Sequence, residues 1–91
     1  MTYPPGTWQR EEFQRLKSQI LSELNKGITD ENEAINFYRS FVALLERLKA
    51  VSDPMQRTNA QNIRDNVWKI MLEEERHKSA LQGMTYTAQR L

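Results

Sequence analysis

Apolar residues recur along this chain at intervals of three and four, the spacing that lines side chains along one side of an α-helix. One stripe runs Phe13, Leu16, Ile20, Leu24, Ile28, then position 31, then Ile35, Tyr38, Val42 and Leu45. A second stripe beside it (Phe37, Phe41, Leu44, Leu48, Val51) widens the apolar arc. No stretch alternates with period two, so no strand is expected. Gly27 costs about 1 kcal/mol relative to alanine in a helix interior, and Thr29 and Asp30 after it suit a fresh helix start. The stripe nevertheless keeps its phase across Gly27. The pattern therefore predicts one long helical segment over 9–51, with Gly27 the place for any kink.

Ser52-Asp53-Pro54 is a stronger break. Asp53 suits an N-cap, Pro54 the first helical position, and Gln56 the reciprocal partner of a capping box. A second helix is predicted over 54–83, with the stripe Ile63, Val67, Ile70, positions 74 and 77, Leu81 and Met84. Gly83 is expected to end it, leaving 84–91 as a tail. Residues 1–8, with Pro4, Pro5 and Gly6, read as an irregular lead-in. Trp68 and Met71 read as packing residues, and so do Trp8 and Phe13, for which a neighbouring subunit is the expected partner. The expected fold is all-α: one domain over 1–91, an antiparallel two-helix hairpin with an N-terminal helical extension. A lone hairpin cannot cover so wide an apolar arc, so a four-helix bundle completed by a second copy is expected.

Charge and composition then narrow the function. Thirteen Lys and Arg against 12 Asp and Glu leave a formal net charge of +1. Such a balance lacks the basic surplus of a nucleic-acid binder. Cysteine is absent, which excludes disulfides, thiolate metal sites and a cysteine nucleophile. No apolar run approaches the roughly 20 residues of a membrane span, and the first residues do not read as a signal peptide. A cytoplasmic protein without membrane or nucleic-acid partners is the expectation.

The interruptions in the two stripes carry the chemistry. Position 31 is Glu31; positions 74 and 77 are Glu74 and His77. Polar groups at core-facing positions are costly unless they are compensated. Glu31 lies 20 residues before Val51 at the corner, and Glu74 lies 20 residues after Pro54. At 1.5 Å per residue both carboxylates stand about 30 Å from the turn, on facing helices, and should meet. His77, three residues beyond Glu74, shares its side of the helix. Carboxylates with an imidazole suit iron, manganese or zinc, and a carboxylate-rich set leans toward iron or manganese. Three such groups are half of what a di-metal carboxylate centre uses, namely two copies each of Glu and Glu-x-x-His in a four-helix bundle. Two hairpins related by a two-fold axis would supply the whole set.

The segments Asp30-Glu31-Asn32-Glu33-Ala34-Ile35-Asn36-Phe37-Tyr38 and Glu73-Glu74-Glu75-Arg76-His77 resemble the ferritin-like di-iron proteins, most closely the encapsulated ferritins, whose subunit is a single hairpin. The resemblance covers roughly residues 20–85. It implies that Glu31, seven residues before Tyr38, is the ligand in place of Glu33. It maps the Glu-x-x-His pair to Glu74 and His77, sets Tyr38 beside the centre, and casts Asp30 and Glu33 as acids that attract incoming iron. Further, it implies Fe(II) oxidation by O2 at a di-iron centre shared across a homodimer, for iron storage or detoxification. Assembly of the dimers into a ring such as a decamer, inside an encapsulin shell, is implied as well. Manganese or zinc would be substitutes for iron.

Two other readings stand beside a ferroxidase. The same fold would serve a di-metal peroxidase, and a non-catalytic helical oligomerisation module would use buried polar groups only to set register. Taken alone, Glu74 and His77 read as an exposed helix pair. Asp30 and Glu33 read equally as acids favouring a helix start.

Overall fold

The computed structural model describes residues 7–91, which form two helices, α1 (Thr7–Ala50) and α2 (Pro54–Gln89). They pack antiparallel as a rod of 79 × 17 × 13 Å. No strand occurs among the described residues, and none of their helices is long and apolar enough to cross a membrane. The lead-in expected over 1–8 lies outside the described residues as far as residue 6, and α1 has begun by Thr7. Packing by Trp8 likewise lies outside the described side chains.

The corner forms as its residues dictate. Val51 and Ser52 donate backbone N–H groups to Leu48 and Lys49 carbonyls, closing α1. Asp53 Oδ1 accepts from Gln56 N at 2.8 Å, and Asp53 N donates to Gln56 Oε1 at 3.0 Å. This reciprocal pair satisfies two of the N–H groups that open α2.

Between the helices runs a seam of strict three–four spacing. From α1 it takes Leu21, Leu24, Ile28, Glu31, Ile35, Tyr38, Val42 and Leu45, the most protected row of that helix. From α2 it takes Ala60, Arg64, Val67, Met71, Glu74, Lys78, Leu81, Thr85 and Ala88. Such an average of 3.5 residues keeps one edge of each helix toward the other, as in coiled coils. Ile35, Leu45, Ala60, Val67, Met71 and Ala88 are buried there.

Three expectations are corrected. Phe13, Leu16 and Ile20 stand exposed, because their row falls on the flank shared with Phe37, Phe41, Leu44, Leu48 and Val51. In α2 the expected stripe straddles two rows: Val67, Glu74 and Leu81 face the seam, while Ile63, Ile70 and Met84 are exposed beside it, as is Trp68. Finally, α2 passes through Gly83 and ends at Gln89. One glycine costs about 1 kcal/mol, and burial of Ala88 against α1 beyond it outweighs that. Nor does Gly27 break α1. A Cβ there would stand 3.2 Å from Leu81 Cδ1, so this glycine makes room for the Leu81 side chain against α1.

Candidate metal centre

The seam spacing that buries Ile35 and Met71 also carries Glu31 and Glu74 inward, one from each helix. One turn beyond Glu74, His77 flanks the seam. Together the three offer ligand atoms that all lie within 4.8 Å of one another. His77 Nδ1 stands 4.0 Å from Glu31 Oε1 and 4.0 Å from Glu74 Oε2. The equal-height argument from the sequence thus meets its geometry in the fold. Exposure divides the trio: the two carboxylate side chains keep 21% and 23% of their surface, the imidazole 60%.

Glu31 Oε2 is buried with no hydrogen-bond partner. Two ionised carboxylates have no proton to share, so neither satisfies the other; a proton between them would join them. That shared hydrogen bond with Glu74 is the largest cause lifting the Glu31 pKa above its ordinary value, followed by desolvation and by the negative charge of Glu74. Asp30 adds to the rise, and His77 opposes it. A divalent cation would relieve both strains, the orphaned oxygen and the paired negative charge, because it takes the place of that proton. The donor set fits such an ion.

The centre is open toward one side of the hairpin. His77 belongs to a row of exact seven-residue spacing, Ile63, Ile70, His77, Met84 and Leu91, whose apolar members are all exposed. The neighbouring row of α1, from Phe13 to Val51, is likewise largely exposed. A groove lined by Ile20, Leu24, Met84, Ala88 and Leu91 confirms that the two rows share one face. The other face is polar: Asn32, Asn36, Arg39, Glu75, Lys78 and Gln82 line a groove of about 280 Å³, and Arg39 Nη2 lies 3.4 Å from Glu75 Oε1. So the imidazole sits in the apolar face, with the two acids immediately behind it.

Among the remaining candidates, Tyr38 occupies the seam two turns from Glu31, half-buried, its ring edge-on to Phe37 with centroids 5.4 Å apart. Helical side chains lean toward the N-terminus, which tilts Tyr38 toward the level of Glu31. Asp30 and Glu33 are exposed on α1 and take no part in the trio. The close approach at Gly27 and Leu81, one turn from Glu31, went unread in the sequence; a glycine that interrupts no helix and keeps the stripe in phase is the signal that could have found it. Compared with family models, with characterised proteins and with solved structures, the chain has no match in any of the three.

Proposed function

We propose that this protein is a homodimeric ferroxidase of the encapsulated-ferritin type, its centre shared between two hairpins. The observation that carries this reading is the trio itself: two seam carboxylates, one with a buried oxygen lacking any partner, beside an imidazole on an unpartnered apolar face. Both acids occupy seam positions where an apolar side chain would otherwise pack. Two copies related by a two-fold axis would bring together four carboxylates and two imidazoles, the complement of a di-metal centre, and four negative charges would offset two divalent cations.

In such a centre Fe(II) is the substrate. Glu31 and Glu74 hold the two ions, and His77 supplies nitrogen. O2 takes up the electrons released as Fe(II) becomes Fe(III). Tyr38 is the candidate for orienting these ligands, and Asp30 and Glu33 remain candidates for drawing in iron. Assembly of dimers into a ring and housing in an encapsulin shell follow from the resemblance of the two motifs.

The test is direct. Fe(II) added in air should produce a rise in near-ultraviolet absorbance as Fe(III) forms, and Glu31→Ala or His77→Ala should abolish it. Unchanged oxidation by both variants would reject the site. Consumption of hydrogen peroxide in place of O2 would identify a di-metal peroxidase. One observation favours a non-catalytic oligomerisation module: Arg64 and Lys78 also occupy seam positions, so polar groups in the seam are not confined to the trio.

A further inference from the structure

The polar face carries a groove that the metal centre does not use. It opens beside the seam, where Ile35 and Lys78 stand one turn from Glu31 and Glu74, on the other side of the rod from His77. Two cations line it, Arg39 and Lys78, against one acid, Glu75; Asn36, Ser79 and Gln82 add amide and hydroxyl donors. Among the described residues, the side chains of Asn36, Lys78, Ser79 and Gln82 have no hydrogen-bond or ion-pair partner. Arg39 directs one N–H at Glu75, at 3.4 Å, and keeps the rest of its fork of donors. We propose that this groove binds inorganic phosphate. Neither iron nor a second chain is needed for it.

The donors select an anion, and Glu75 selects among anions. Two cations with one acid leave a positive surplus, and hydrogen bonds from guanidinium or ammonium to an oxyanion are about twice as strong as neutral ones. The volume of about 280 Å³ lies below the roughly 300–1,000 Å³ of pockets for drug-sized ligands, so the fit is to a small ion. An ionised carboxylate can only accept. Glu75 therefore repels sulfate, which carries no proton at neutral pH. Phosphate retains one there, and its P–O–H can donate to Glu75 while its other oxygens accept from Arg39 and Lys78. The acid is free to turn toward an anion, because Arg39 holds it by one long contact and its side chain keeps 40% of its surface exposed.

The groove at the corner, which also holds two cations, Lys49 and Arg57, lacks this character. Its cations are already engaged, Lys49 with Glu46 and Gln61, and Arg57 with the Ser52 carbonyl. The position beside the seam also leaves a signature. Glu31 and Glu74, when ionised, stand one turn away and weaken an anion's hold on the polar groove, so removing one of these charges tightens it.

Isothermal calorimetry of phosphate added to the metal-free full chain, at constant ionic strength, tests the site. Saturable binding of a single phosphate per chain is expected, with sulfate at least several-fold weaker. Lys78→Gln should lose most of the affinity and Lys78→Arg should keep it, with circular dichroism confirming equal helix content in both. Glu75→Gln should erase the preference for phosphate over sulfate, and Glu31→Gln should bind phosphate more tightly. Binding that does not saturate, or equal affinity for the two anions in the native chain, would overturn the assignment. So would native affinity in a fully helical Lys78→Gln. Unchanged affinity in Glu31→Gln would place the anion away from the seam and overturn it equally.

Discussion

Glu31 concentrates the tension in this molecule. It stands where the seam calls for an apolar side chain, faces a second carboxylate, and has one oxygen without a partner. Its pKa lies above the ordinary 4.5, so in the window from that value upward the native chain binds more protons than the unfolded one. Stability must then fall as pH rises through the window. Metal-free protein should accordingly melt lower near neutral pH than in mild acid. Glu31→Gln should flatten this dependence and raise the neutral-pH melting point, because the amide keeps the shape and removes the repulsion. Thermal unfolding followed by circular dichroism across pH checks this, and an unaltered slope in Glu31→Gln would count against it. Metal binding should carry the opposite sign, strengthening as pH rises, since cation and proton compete for the same oxygens.

At the scale of the element, the spacing between α1 and α2 decides whether the acids meet. Gly27 sits one turn before Glu31 and admits Leu81 closely. Alanine there gains about 1 kcal/mol of helix propensity, and its Cβ meets only the movable end of a leucine. Gly27→Ala should therefore melt at or above the native temperature. Gly27→Leu places a bulky chain against Leu81 between the helices. It should lower the melting point and weaken Co(II) binding several-fold by prising Glu31 from Glu74. Paired thermal melts and Co(II) titrations of the two variants measure both effects. Equal Co(II) affinity in wild type and Gly27→Leu would show that helix spacing does not govern the site.

The whole molecule is a two-faced rod, polar along one side and apolar along the other, with His77 set in the apolar side. In the homodimer proposed above, this apolar side would be removed from solvent. A cation that binds only the paired form stabilises that form by mass action. Adding Fe(II) anaerobically, or Mn(II), should then raise both the mass in solution and the melting temperature, and the purified assembly should hold about one iron per chain, the ratio of a di-metal centre shared by two. An oligomerisation module without a metal role would change in neither respect. Light scattering combined with metal analysis separates the two.

Much of this was legible in the residues themselves. Three–four spacing declares helices because the α-helix repeats at that interval, and Asp53-Pro54 declares the corner because a cap and a missing N–H suit a helix start. Equal counts on either side of that corner set Glu31 and Glu74 at one level, since helical rise is constant. What local pattern could not resolve was which of two adjacent apolar rows faces inward. Neighbouring rows on a helix differ by only a fraction of a turn, and each of these is apolar enough to be a core. Tertiary packing chose the row with Val67, Met71 and Ala88 and turned Ile63, Ile70 and Met84 outward with His77. It also carried α2 through Gly83, because the contacts of the last turn with α1 exceed what one glycine costs. The seam is thus a property of two helices together, and which face remains for a partner follows only once they have met.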